Sequence, residues 1–257
     1  EPGGEFDRHF PEFEHRSQQV QMLRAVADAF SQQKHLMVEA GTGTGKSLAY
    51  LIPAAAWALQ NNERVVISTN TIALQDQLVN KDIPDMVAAL DLNINVSVLK
   101  GRNNYLCPRR LNLLRKRQPE NVDELRVLAK VLVWLQSSDS GDRNEINLNG
   151  PIERTVWSRL SAEDEGCKLD TCLKRTGGRC PYYRARTAAE AAHILIVNHA
   201  LLLADTAAEG RILPDYRYLI VDEAHHLESA TTDAMSFRLR APDVTRLVRE
   251  LGSAEQG

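Results

Sequence analysis

The sequence predicts an α/β fold, a central parallel sheet with crossover helices, interrupted by a small, mainly helical insertion. Three observations lead there. Short apolar runs alternate with helix-periodic stretches up to Lys100, the alternation resumes only near Arg184, and all four cysteines fall inside the gap. Parallel neighbours need a long crossover, usually a helix, so this alternation points to a parallel sheet.

Residues 1–15 carry Pro2, Gly3, Gly4 and Pro11 and read as a linker; with no methionine at the start, the chain reads as a piece of a longer protein. From Arg16 to Phe30, the positions Val20, Leu23, Val26 and Phe30 recur at helical spacing. His35–Glu39, Val65–Ser68 and Val96–Leu99 read as strands, with Ser47–Leu59 and Thr71–Leu78 as the helices between them. Inside the gap, Val122–Leu135 reads as a helix and the polar stretch SSDSGDRNEINLNGP as loop. The pattern returns with a helix over Arg184–Ala192, a strand over Ile194–Val197, a helix from about Ala200 and a strand over Tyr218–Val221. The expected division is a linker (1–15), the α/β domain in two parts (16–100 and 184–226), an insertion (101–183), and a helical connection or the start of another insertion (227–257).

With 257 residues, 43% of them hydrophobic and 25% charged, the chain is long enough for a sizeable core, which rules out collagen, coiled coil and wholesale disorder. No apolar run reaches the roughly 18 to 20 residues that would cross a bilayer, and the opening lacks a signal-peptide pattern. No membrane partner and a cytoplasmic location are therefore expected. Four cysteines are too few for a secreted disulfide framework, so they are expected to be buried thiols or ligands. The net charge of −3 hides two basic clusters: residues 100–120 hold seven basic residues and one acidic, residues 168–186 six and one, and both surround cysteines.

Residues 40–47 read AGTGTGKS between an apolar run and a helix-forming segment. Glycines in such a strand-to-helix turn let backbone N–H groups curl around phosphate oxygens, and the helix adds its positive end. The candidate phosphate cradle is Gly41, Thr42, Gly43, Thr44, Gly45, Lys46 and Ser47, with Lys46 on the outer phosphates and the Ser47 hydroxyl on Mg²⁺. Ala40 stands where the general pattern has glycine. Residues 218–226, YLIVDEAHH, end an apolar strand in two carboxylates. The C-terminal end of a parallel strand opens into the same crevice as the phosphate loop. Asp222 is placed to hold the Mg²⁺, Glu223 to orient or deprotonate an attacking water, and His225 to contact the γ-phosphate or a partner domain.

At this point the chain resembles superfamily 2 helicases with a DEAH box, and within them the DinG/XPD-like iron–sulfur helicases, on the bacterial DinG branch. The resemblance rests on AGTGTGKS (Ala40–Ser47), STNTIALQDQL (Ser68–Leu78), KGRNNYLC (Lys100–Cys107), ILIVNHALLL (Ile194–Leu203) and VDEAH (Val221–His225), and runs from about Arg16 to His226. It implies a RecA-like P-loop domain that binds ATP. Gln19 is the residue carried over for adenine recognition, and Thr69, Thr71 and Gln75 face the nucleic-acid backbone. It implies an ATP-dependent helicase or translocase on single-stranded DNA, with 5′-to-3′ polarity and a role in repair or replication. The arginine fingers come from a second RecA-like domain, so this chain alone is expected to bind nucleotide weakly, hydrolyse it slowly and not unwind DNA. An exonuclease-like domain upstream is compatible with it. The alternative is a nucleotide-switched nucleic-acid-binding module with structural zinc and no unwinding. A small-molecule P-loop kinase is disfavoured by the acid pair and the basic insertion.

Cys107, Cys167, Cys172 and Cys180 are the whole cysteine complement, spaced by 59 residues and then as C-x4-C-x7-C. Four thiolates suit tetrahedral Zn²⁺ and an iron–sulfur cluster alike. The resemblance implies a 4Fe-4S cluster. Its expected role is to fold a basic module that lacks a large core of its own. Around it, Arg102, Arg109, Arg110, Arg115, Lys116, Arg117, Lys174, Arg175, Arg179 and Arg184 are read as a strand path, with Tyr105, Tyr182 and Tyr183 stacking bases.

Overall fold

The computed structural model describes residues 3–10, 14–41, 44–163, 167, 172, 174, 176–236, 244 and 248. Strands β1 (Val65–Thr69), β2 (Val96–Val98), β3 (Ile194–Asn198) and β4 (Tyr218–Val221) form one parallel sheet in the order β2-β3-β1-β4. β1 and β3 lie in the middle and are apolar almost throughout because both their faces are covered. Val65 pairs with Ile194 and Tyr218, and the register runs in step to Thr69 beside Asn198 and Ser68 beside Val221.

Strand period two sends alternate residues to different cores. Val65, Ile67, Ile194 and Ile196 join one core with α2 (Ser17–Gln32), α3 (Lys46–Asn61) and α5 (Ile83–Leu90). Fully buried Ala54, Ala55 and Ala58 on α3 have short side chains that allow close packing there. Between these helices, α4 (Ile72–Gln77) leads through a π-helical turn (Leu78–Asp82) into α5. Val66, Leu195 and Val197 face the other way and share a core with Cys107, Cys172, Cys180, Tyr105, Tyr182 and Tyr183. The cysteine region therefore packs directly on the sheet.

Between β2 and β3 the chain makes α6 (Pro108–Arg117), α7 (Val122–Trp134), α8 (Pro151–Leu160) and α9 (Pro181–Glu190). The expectation that the insertion lacks a large core is corrected. Leu106, Leu111, Leu114, Val127, Leu128, Val131, Trp134, Leu148, Val156, Trp157 and Leu160 form a separate core, with the two indoles edge-on at 6.3 Å. The helices are amphipathic, and tryptophan gives three short helices enough apolar area to close on. Residues 105–107 are clamped by backbone from two sides: Leu106 N donates to Gly141 O at 3.0 Å, and Cys107 N to Leu160 O at 2.8 Å. Gly141 is required there, since its φ is +65° and a Cβ would lie 2.5 Å from Pro181 Cγ. After β3 come α10 (His199–Ala207) and, beyond β4, α11 (Leu227–Met235).

Two sequence expectations fail here. Residues 35–39 form no strand; they run exposed, with Met37 97% accessible, and pair with no strand. A five-residue apolar run becomes a strand only where a partner edge aligns with it. The supposed linker contains a short helix, α1 (Glu5–His9), with acidic residues in its first turn and basic ones in its last, and Phe6 packs against the α2–α3 core. Of the 227–257 segment, α11 is described, and most positions beyond Ser236 lie outside the described residues.

Candidate functional site

α3 starts on Gly45, whose φ of +77° is left-handed and whose Cβ would fall 2.2 Å from Gln19 Nε2. The positive φ favours glycine, and a Cβ would push the Gln19 amide off the loop. No side chain caps this helix, which leaves first-turn N–H donors and the positive dipole end for an anion. Gln19 Nε2 donates to Gly45 O at 2.9 Å, so the residue carried over for adenine recognition is seated on the phosphate loop. Thr44 Oγ1 donates to Gly41 O at 2.9 Å. Thr42 and Gly43 lie outside the described residues.

The acid pair reaches this loop from β4. Asp222 N donates to Ser68 O at 2.8 Å, extending the β1–β4 pairing by one residue. The chain then turns sharply at Glu223, whose φ of +54° is a strained conformation for a side-chain-bearing residue. That turn separates the two carboxylates. Glu223 Oε1 accepts from Lys46 Nζ at 2.9 Å, and this hydrogen bond draws the Glu223 carboxyl below its ordinary range. Asp222 moves the other way, raised first by burial and then by the neighbouring Glu223 charge. Its Oδ2 accepts from the Tyr50 hydroxyl at 3.2 Å. His225 Nδ1 stands 3.4 Å from Glu223 Oε2, and its ring lies against His226 with centroids 4.0 Å apart and the planes tilted by 43°. Lys46, Asp222, Glu223 and His225 thus meet at the C-terminal end of the sheet, with Ser47 following Lys46 on α3. The Asp222 carboxylate and the Ser47 hydroxyl are hard oxygen donors of the kind a divalent cation such as Mg²⁺ takes.

The sequence motifs give three residues of this region no site role, although His199 and Lys100 lie within two of them. Tyr50 reads there as one more apolar helix position. His199 is 1% exposed and its Nδ1 is 2.7 Å from Ser68 Oγ; burial lowers its pKa and keeps the ring neutral. Lys100 belongs to the basic cluster of the sequence, yet it is 6% exposed and its Nζ contacts Asp142 at 2.5 Å and Asp76 at 3.7 Å.

Other expectations are corrected. Thr69 and Gln75 are fully buried, and Thr71 accepts from Leu74 N as the cap of α4. The first two cannot contact a strand on the surface. Tyr105, Tyr182 and Tyr183 are 4, 2 and 9% exposed and stack edge-on with one another, so they wall the cysteine region and leave no face for bases. Of the basic residues, Arg117 pairs with Glu120 and Glu124, Arg110 donates to Ser158 O, Arg184 to Asp139 O, and Arg102 lies over the Tyr182 ring at 4.8 Å. Arg115, Lys116, Lys174 and Arg179 are exposed; Arg175 lies outside the described residues.

The four thiols are free and gather in the second core. Cys167 Sγ is 3.5 Å from Cys172 Sγ and 3.8 Å from the Tyr183 hydroxyl. Burial, reinforced by Cys167, pushes the Cys172 thiol up to about 11, and burial also raises Cys180. Among the described residues no three Cys, His, Asp or Glu side chains close on a common single-ion position.

The DEAD/DEAH box helicase family profile matches residues 17–119, and the DEAD_2 profile matches residues 164–244. By these matches the chain is similar to the DEAD/DEAH box helicases. It is 39% identical over 254 residues to the ATP-dependent helicase DinG of Mycobacterium tuberculosis, covering 92% of this chain and 38% of that protein. Identity is 34% over 248 residues to the 3'-5' exonuclease DinG of Bacillus subtilis (96% and 26% covered). It is 33% over 252 residues to the ATP-dependent DNA helicase DinG of Escherichia coli (90% and 35% covered). The chain therefore spans about a quarter to two fifths of these relatives. A solved XPD helicase overlays 84% of this chain and 34% of its own at 18% identity and TM-score 0.43. In this DinG-like chain the parallel sheet carries helices on both faces, and the core of α7 and α8 falls between the two profile matches.

Proposed function

We propose that this chain is the nucleotide-binding half of an ATP-driven DNA helicase or translocase. The observation that supports it most is the contact of Lys46 with Glu223 at 2.9 Å, which joins the phosphate loop to the acid pair. Entering phosphates draw Lys46 off Glu223, and the released carboxylate becomes free to accept a proton from water. Ser47 and Asp222 are the residues to hold Mg²⁺, which supplies charge neutralisation at the phosphates when bound. His225, against the second Glu223 oxygen, orients that carboxylate. Gln19 fixes the loop through Gly45 with its nitrogen, and its oxygen is left for the adenine edge.

Cys107, Cys167, Cys172 and Cys180 are proposed to hold a 4Fe-4S cluster, with Zn²⁺ the alternative. The cluster's role is structural: it ties the insertion to the sheet face that the cysteines share with Leu195 and Val197. The names of the Mycobacterium tuberculosis and Escherichia coli relatives support the helicase assignment. Single-stranded DNA, a second RecA-like domain, 5′-to-3′ movement, a repair or replication role and a cytoplasmic setting complete the proposal. The test is ATP turnover with and without single-stranded DNA, in protein purified without oxygen and assayed for iron, sulfide and zinc. DNA-stimulated turnover with iron and sulfide in comparable amounts is the expected result. Turnover indifferent to DNA, in protein that includes the second domain, overturns the motor reading, and zinc alone overturns the cluster.

A further inference from the structure

α3 presents Lys46 and Tyr50 one turn apart on the same side, because residues four apart in a helix are neighbours. Lys46 reaches Glu223, while Tyr50, 3% exposed, reaches across 172 positions to Asp222 Oδ2 at 3.2 Å. The Tyr50 hydroxyl also lies beside the Ser47 side chain. The backbone on the acid side is fixed independently, by Asp222 N on Ser68 O at 2.8 Å. The main chain thus fixes where Asp222 starts, and the phenol fixes where its carboxylate points.

We infer that Tyr50 is a positioning residue for Mg²⁺: its hydroxyl holds the Asp222 carboxylate toward Ser47, so the two protein ligands of the nucleotide's metal are oriented before it arrives. The inference rests on the nucleotide-site reading above and assigns a role to a residue that the phosphate-loop and acid-pair motifs do not include. The Tyr50 ring belongs to the α2–α3 core, and phenylalanine preserves that packing while deleting the one hydroxyl.

The experiment uses this chain with a fluorescent ADP analogue, titrated in EDTA and again at increasing Mg²⁺, for wild type, Tyr50→Phe and Asp222→Asn. The inference expects Tyr50→Phe to bind nucleotide like wild type in EDTA. The Mg²⁺ concentration for half-maximal enhancement should rise about tenfold, the scale of a hydrogen bond to a charged group. Asp222→Asn should lose most of the enhancement. Unchanged Mg²⁺ dependence in Tyr50→Phe, or equal weakening with and without metal, overturns the inference and leaves the nucleotide site standing. Wild type with no Mg²⁺-dependent binding overturns both.

Discussion

Lys46 and Glu223, 177 positions apart, form an ion pair at 2.9 Å with 27% of each side chain exposed. This contact holds the lysine proposed to bind phosphate on the residue proposed to activate water, so on that proposal nucleotide must compete for Lys46. A pair this accessible contributes about 1 kcal/mol or less. Replacing Glu223 by Gln removes the competitor and the base together. ADP affinity is expected to stay equal or tighten a few-fold, while ATP turnover falls by about 10² or more. Lys46→Ala is expected to weaken nucleotide binding instead. Equilibrium binding and single-turnover hydrolysis on the same preparations separate the two effects.

His199 gives a pH prediction. Burial lowers its folded-state pKa below the unfolded value. The unfolded chain therefore binds more protons as pH falls through the unfolded pKa, about 6.5, and the histidine's contribution to stability is lost from there downward. His199→Asn also removes the contact with Ser68 Oγ and is expected to cost about 1–3 kcal/mol at pH 7.5. The gap between wild type and variant should narrow by pH 5.5. Thermal unfolding of both proteins at the two pH values checks it; a gap constant with pH contradicts the assignment.

The central strands were legible in the sequence because Val65–Thr69 and Ile194–Asn198 are apolar runs with a helix on each side. Residues 35–39 show the limit of that signal, since apolarity specifies a preference for burial and leaves the pairing partner unspecified. Charge misleads for a similar reason. Lys100 and Arg117 look like surface cations in a basic run, yet Asp142 and Glu124, distant in sequence or hidden in an amphipathic helix, absorb them. Tyr50 and His199 are invisible as site residues because each gains its role from a partner more than a hundred positions away. The acid pair and phosphate loop stand out because local spacing alone carries their chemistry.

The separate core of the insertion predicts that its helices do not depend on the cysteines. Trp157 is 3% exposed and its Nε1 donates to Asn103 O at 2.7 Å. Trp157→Ala is expected to cost about 3–5 kcal/mol and to expose amides throughout α7 and α8. Cys172→Ser, or chelation of the proposed cluster, should leave those amides protected and raise exchange around α9. Hydrogen exchange resolved by peptide distinguishes the two, and loss of protection in α7 on chelation would refute the independence of the helical core.

Burial of the three tyrosines changes the expected character of DNA binding. With none of these three ring faces available, the proposed association is expected to rely on exposed cations, and among those of the α6 end Arg115 and Lys116 are solvent-exposed while Arg117 is committed to Glu120 and Glu124. Removing one cation from a phosphate should flatten the dependence of log K on log salt by roughly 0.7 for a single strand. Arg115→Ala with Lys116→Ala is therefore expected to reduce that slope by roughly 1.4 and to weaken binding alike for pyrimidine and purine strands. Arg117→Ala should lower stability and leave the slope near wild type, because its charge is already neutralised. Fluorescence anisotropy with labelled oligonucleotides over a range of salt concentrations measures both quantities. A Tyr182→Leu variant that bound single strands far more weakly at unchanged slope would instead restore base stacking, and would require the cysteine region to open when DNA binds.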